Sequence, residues 1–293
     1  MPLNFHKFFG ACLLFCLLIS CQEHANVPVH GAAAATGFEE EEEADAAYGS
    51  NLTEEQSDLR LFTLPTPVQT AAVLKAGDYA FDESLMLPMG LEGNTNLIKA
   101  IQLGAYMVDL GYTTMFNQRQ NSLLYLKETS KLKNELGIAG NQDQQIVRKF
   151  QEVENNPDSL SRLILDSYAE AHSYFQAQER EGVGLLILVG CYIEGVHISI
   201  NTSAGVQTSS YQALIAQQKM YLKSLLELLR YFEYQGEVLP ILKEMEELNQ
   251  QFEEVKVRYR TQGIDQQING QVSEETLSKI HKKVTVLRGM INK

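Results

Sequence analysis

The stretch Tyr106-Met107-Val108-Asp109-Leu110-Gly111-Tyr112 sets a carboxylate between two phenols in an otherwise apolar run. On a helix, Tyr106, Asp109 and Tyr112 or Thr113 stand three or four positions apart and share a face. If buried, the carboxylate must be paired, because an isolated charge in apolar surroundings is costly. Two roles fit. The trio binds the amine or hydroxyl of a ligand, or it forms a Tyr–Asp hydrogen-bond network that locks helices together.

A second candidate is Glu194-Gly195-Val196-His197. Glu-x-x-His on a helix puts both side chains on one face, as in di-iron carboxylate bundles. Such sites need a second copy and two more carboxylates. None is found: His172 follows Glu170 at a spacing of two, and Ser278 stands three before His281. The structural alternative is a Glu–His pair. The candidate ligand-binding set is therefore Tyr106, Asp109, Tyr112, Glu194 and His197, which requires their two helices to converge. No metal site and no cofactor is expected from this set.

Other chemistries lack their signatures. The chain has no Gly-rich phosphate loop, no Cys-x-x-Cys, no His-Glu-x-x-His and no Gly-x-Ser-x-Gly. Tryptophan is absent, which removes the usual stacking platform for sugars, although 13 tyrosines could substitute. No catalytic residue is assigned, and the expectation is a protein that is not an enzyme.

Cysteine usage narrows the field further. Cys12 and Cys16 fall in an N-terminal apolar stretch, Cys21 closes it, and only Cys191 remains. No internal disulfide framework is possible with one cysteine. Cys191 sits in the apolar run 185–191 and reads as a buried, inert thiol.

The elements that must carry these residues are helical, because apolar residues recur at three- and four-residue spacing nearly throughout. Thr66-Pro67 predicts a helix start, a capping hydroxyl before a proline, with the helix reaching about Ala76. Further helices are predicted from about Thr95 to Met115 and from Gln118 to Leu136, the latter stopped by Gly137. Another opens at Asn141 and carries Ile146, Val147 and Phe150, and Asn156-Pro157 starts the next. Residues 181–203 are apolar on most faces and predict a central buried helix, whose uninterrupted apolar run ends too early at Glu194 for a membrane span.

Residues 208–233 are strongly amphipathic, and the helix from Ser273 carries a seam of Leu277, Ile280, Val284, Leu287 and Ile291. Near 255–271 the alternation Val255-Lys256-Val257-Arg258-Tyr259 allows one short β-hairpin. The predicted class is all-α, as a multi-helix bundle or stacked αα-hairpins. Leu103-Gly104-Ala105-Tyr106 and Val189-Gly190-Cys191-Tyr192 share a hydrophobic-Gly-x-Tyr pattern. Glycine in mid-helix costs about 1 kcal/mol relative to alanine, so each needs a packing reason. Close approach of two helices would supply one, and two such helices could be equivalent members of duplicated αα-hairpins.

The N-terminus predicts export. His6 and Lys7 precede the apolar stretch Phe8 to Ile19, and Leu18-Ile19-Ser20-Cys21 follows the pattern of a branched apolar residue, a small one and a cysteine. Its length of roughly 12 residues is short of the ~20 that span a bilayer. The motif resembles the bacterial lipobox, which implies cleavage after Ser20 and lipidation of Cys21. Residues 1–20 are then a lipoprotein signal peptide, 21–60 a lipidated cysteine on an acidic tether, and 61–293 the helical domain.

Charge supports that division. Of 37 acidic residues, 10 lie between Cys21 and Arg60, whereas from Leu61 onward 27 acids meet 22 bases. The net charge of −13 therefore belongs mainly to the tether, with its run Glu39 to Glu43. A segment so poor in large apolar residues cannot offset its ordering entropy and is expected to be a solvated spacer. With no basic patch to neutralise phosphates, nucleic acid is excluded as a partner.

The stretch from Leu103 to Tyr112, Leu64-Pro65-Thr66-Pro67 and the lipobox together resemble a family of uncharacterised all-helical lipoproteins of Bacteroidetes-type bacteria. The resemblance covers most of residues 61–291 and implies compartment and fold class, with no activity and no catalytic residues. It implies an outer-membrane lipoprotein facing the periplasm. In such lipoproteins acidic residues directly after the cysteine mark surface display. Gln22-Glu23-His24 carries only one acid, so surface display stands as the alternative. The expected function is a lipid-anchored helical binding or scaffold module of the cell envelope, with the membrane and an envelope protein as partners. The alternative is a small-ligand or metal protein using the Tyr/Asp/Glu/His cluster.

Overall fold

The computed structural model describes residues 67–138, 148–150, 152, 156–202, 208–234, 236, 238–262 and 265–292. Within them run helices α1 (Gln69–Ala76), α2 (Asn96–Met115), α3 (Arg119–Glu135), α4 (Pro157–Ala177), α5 (Glu181–Asn201), α6 (Ser209–Leu229) and α7 (Val238–Phe252), then strands β1 (Lys256–Gln262) and β2 (Asp265–Gln271), and last α8 (Glu274–Ile291). The class is all-α with one two-stranded antiparallel hairpin, in which Lys256 pairs with Gln271 and Gln262 with Asp265. The predicted signal, Cys21, the tether, Thr66 and most of the helix predicted from Asn141 lie outside the described residues.

Local chemistry explains where the helices begin. The side chains of Thr95, Thr208 and Ser273 each accept a hydrogen bond from the backbone N–H three residues on, at Ile98, Tyr211 and Thr276. Asn156 does the same for Ser159 ahead of Pro157. Gly137 ends α3 with φ +77°, a left-handed conformation that costs glycine nothing. One expectation needs correction, and one helix was not anticipated. Pro67 and Val68 lie in a turn and α1 starts only at Gln69. The helix α7, which the sequence reading left unassigned, carries Ile241, Met245, Leu248 and Phe252 into the core at spacings of four, three and four. Pro240 is tolerated there because it falls in the first turn.

The fold is organised around α2 and α5, which form its most extensive helix–helix contact. Both are buried on nearly every face. By length and composition α5 could cross a membrane, but here it is the core helix of the domain. The contact is made by the two mid-helix glycines. A Cβ on Gly104 would lie 1.9 Å from the Ile187 carbonyl oxygen, and one on Gly190 would lie 1.8 Å from that of Ile101. The thiol of Cys191 donates to the Gly104 carbonyl at 3.4 Å, and burial pushes its pKa up to about 12.

The approach is reciprocal, each glycine facing the backbone of the other helix. Ile101 and Ile187, Gly104 and Gly190, Tyr106 and Tyr192, and Tyr125 and Tyr211 all stand 86 positions apart. Around this core α4 packs on α2 and α5, α8 packs on α5 and α7, and β2 lies against α6.

Substituting Gly104 or Gly190 by alanine must therefore force the two backbones apart. Either variant is expected to abolish cooperative thermal unfolding or to lower the midpoint steeply. Gly289→Ala, in α8 with open space around it, should be neutral or stabilise by up to about 1 kcal/mol. Circular-dichroism melts of the three variants check this, and a tolerated Gly104→Ala would contradict the packing described.

Candidate functional site

Residues 82–93 cross α2 as an irregular strap containing one short 3-10 turn, Glu83–Leu85. Only its short turn pairs its own backbone, with the Leu85 N–H donating to the Asp82 carbonyl and the Met86 N–H to the Glu83 carbonyl, and the remaining buried N–H and C=O groups need other partners. The apolar side chains of Leu85, Met86 and Leu87 are buried beneath it. Its backbone is satisfied by a stripe of polar side chains on α2.

The stripe reads in order along the helix. The Tyr112 hydroxyl accepts from the Asp82 N–H at 3.0 Å, and Asp109 Oδ2 accepts from the Leu87 N–H at 3.0 Å. The Tyr106 hydroxyl donates to the Pro88 carbonyl at 2.8 Å and accepts from the Leu91 N–H at 3.2 Å. Gln102 Oε1 accepts from the Gly93 N–H at 3.1 Å, while its Nε2 donates to the Ile291 carbonyl of α8 at 3.0 Å. The strap thus runs antiparallel to α2. From α3, the Tyr125 hydroxyl donates to the Leu87 carbonyl at 2.6 Å. Gly90, at φ +76°, provides the left-handed turn between Pro88 and Leu91.

The charged centre lies below Leu87. Glu194 of α5 has no solvent exposure and receives a forked pair from Arg288 of α8, Nε to Oε2 at 2.9 Å and Nη2 to Oε1 at 2.8 Å. Arg288 Nη2 also donates to the Leu85 carbonyl at 2.7 Å. Asp109 is equally sealed and lies within hydrogen-bonding reach of Glu194. Its Oδ1 accepts from no donor.

Two carboxyls facing one guanidinium in a dry site cannot both stay ionised cheaply. Burial, reinforced by the charge of Glu194, holds Asp109 well above the usual carboxylate range. Burial also raises Glu194, but the Arg288 fork opposes the rise. Of the two, Asp109 is raised further and has no fork of its own, so a proton shared by the pair rests more cheaply on Asp109 than on Glu194. Burial pushes the Tyr106 phenol up to about 12, so it remains a donor as well as an acceptor.

The structure thus brings Tyr106, Asp109, Tyr112 and Glu194 together under one strap. His197 lies on the same side of α5 but does not pair with Glu194. Its Nδ1 faces the Asn201 Nδ2 at 3.3 Å, and Asn201 Oδ1 meets His281 Nε2 at 2.9 Å. Burial, with Arg288 and His281 nearby, lowers its pKa to about 3, so the ring is neutral. Among the described residues no three His, Cys, Asp or Glu side chains group as a metal ion would need.

Sequence reasoning missed Gln102, Tyr125 and Arg288. Gln102 could have been found, since it extends the Tyr106–Asp109–Tyr112 stripe by one turn. Arg288 had no local signal.

The tyrosine of α5 that follows its mid-helix glycine at the same spacing differs from Tyr106. Tyr192 is buried with a hydroxyl that has no partner. Tyr106→Phe removes two part-buried hydrogen bonds to the strap and is expected to cost roughly 0.5–1.5 kcal/mol, whereas Tyr192→Phe should be neutral or stabilising. Urea melts of the two variants check the contrast. Glu194→Gln alone strands Arg288 and should cost about 3–5 kcal/mol. Combined with Arg288→Met it should cost clearly less than the sum of the single changes, which a double-mutant cycle reads directly.

Comparison of the chain with protein-family models, with curated proteins and with solved structures gives no match.

Proposed function

We propose that this chain is a lipid-anchored helical module of the cell envelope that binds or scaffolds a partner protein. The observation that carries this reading is the sealed state of the polar cluster. Asp109 and Glu194 have no exposure, Asp109 Oδ2 is taken up by the strap and both oxygens of Glu194 by Arg288. Groups spent in this way hold helices together and present nothing to a small ligand, so the ligand-binding alternative loses its chemistry. Recognition then falls to the outer surface. Large apolar side chains are exposed there at the α6–α7 turn, where Leu239 is 51% exposed, Tyr231 48% and Phe232 36%.

The anchor is supported by the lipobox-like Leu18-Ile19-Ser20-Cys21. Several acyl chains on one residue hold a protein firmly where a single chain binds only marginally. The tether of roughly 40 residues has an extended contour above about 100 Å, although a coil of that length spans far less. The expected location is the outer membrane, with the domain facing the periplasm.

Expression of Cys21→Ala should release the protein from the membrane fraction and eliminate fatty-acid labelling. Retention of the variant in membranes would overturn the anchor. Photo-crosslinking from position 239 in intact cells should recover one envelope protein. Uniform labelling of abundant bystanders, or none at native expression, would overturn the scaffold reading.

A further inference from the structure

Seven side-chain hydrogen bonds to strap backbone, from Gln102, Tyr106, Asp109, Tyr112, Tyr125 and Arg288, make residues 82–93 resemble a peptide docked in a groove. Most of the groups involved keep their charge state across the physiological range. Arg288 stays a cation, and burial holds the phenols of Tyr106, Tyr112 and Tyr125 above their ordinary values. The titratable and charged groups that act on the centre or on its immediate neighbours are Tyr106 and Tyr112 on α2, Tyr125 and Glu128 on α3, Glu194 and His197 on α5, Arg288 on α8 and Asp82 on the strap, while the exposed His281 of α8 reaches only His197 and Asn201. Among them only the Asp109–Glu194 pair must share a proton to be compatible with one guanidinium. Asp109 Oδ1 accepts no hydrogen bond, so a proton there costs the pair no existing contact.

We propose that the strap is a proton-dependent latch, in which the one proton shared by Asp109 and Glu194 keeps residues 85–93 seated on α2 and its loss releases them. The release follows from position. Asp109 accepts from the Leu87 N–H while facing Glu194, and Arg288 bridges Glu194 to the Leu85 carbonyl. A second full charge at Asp109 repels Glu194 and competes for Arg288, and both of its links lead to the strap. The sign is fixed by the raised folded-state pKa. The folded chain binds a proton that the unfolded or released one gives up, so the latch is strongest in acid. It weakens as pH rises from the ordinary carboxylate range to the raised value, and then levels off.

Hydrogen–deuterium exchange of the full chain from about pH 5 to about pH 9 tests this, because buried carboxyls can titrate that high. With labelling times scaled for the intrinsic pH dependence of amide exchange, peptides covering Leu87, Leu91 and Gly93 should lose protection as pH rises. Peptides of α2 and α5 should keep theirs. Asp109→Asn keeps the acceptor for Leu87 and supplies a permanent donor toward Glu194. It should hold the strap at its acid-level protection throughout the range. A strap whose protection does not change with pH, or a slope that survives in Asp109→Asn, overturns the latch. Should that variant fail to fold, the wild-type chain decides alone, since equal pH response of strap and α2 overturns it too.

Discussion

Contact between backbone and backbone at Gly104 and Gly190 sets the distance between α2 and α5, and the rest of the domain follows from it. With a carbonyl oxygen occupying the space a methyl group would need on each side, the two helices meet without side chains between them. Both are then enclosed by a surrounding layer of α1, the strap, α3, α4, α6 and α8. A helix enclosed on all sides can hide apolar surface anywhere, but it cannot offer a polar group to water. Every buried polar side chain on α2 must therefore find its partner inside the protein.

The strap meets that demand, and α2 meets that of the strap. Residues 82–93 bring unpaired peptide groups, and the stripe from Gln102 to Tyr112 brings side chains that can pair them. The charge at its centre is handled by the same logic. Asp109 serves the Leu87 N–H, a proton reconciles Asp109 with Glu194, and Arg288 neutralises what remains. Because Arg288 comes from the last helix and also grips Leu85, the C-terminal element is fastened to the start of the domain through a buried ion pair.

Much of this was legible in the sequence, in the parts where local chemistry decides. The capping residues Thr95, Thr208 and Ser273, the stop at Gly137, the hairpin near 255–271 and the all-round apolar helix each carry their signal within a few residues. The shared Gly-x-Tyr pattern even pointed to the close approach of α2 and α5. The helix α7 was obscured by Pro240, which its first turn accommodates. The clasp was only half legible. Tyr106, Asp109 and Tyr112 announce a polar face, but what they hold is the backbone of another segment, and a peptide group has no sequence signature. Arg288 lies 94 positions from Glu194 and is overshadowed by the apolar seam of α8. The N-terminal features fall outside the described residues.

A buried ion pair is a poor means of adding stability, since well-packed apolar side chains often do as well or better. Here the pair and the stripe beside it decide where the strap sits. The helices α2 and α5 meet across Gly104 and Gly190, and only α2 carries side chains that can hold a peptide backbone. On α5 the residues 86 positions after Gln102, Asp109 and Tyr112 are Leu188, Gly195 and Ile198, none of which can bind a peptide group through its side chain. Tyr192 has a hydroxyl, but it is unpartnered. The polar stripe therefore seats the strap on α2, and Arg288 ties Glu194 of α5 to the strap at Leu85. An apolar stripe of equal volume would bury as much surface and leave the strap without a fixed register. What the charges and phenols contribute is that register.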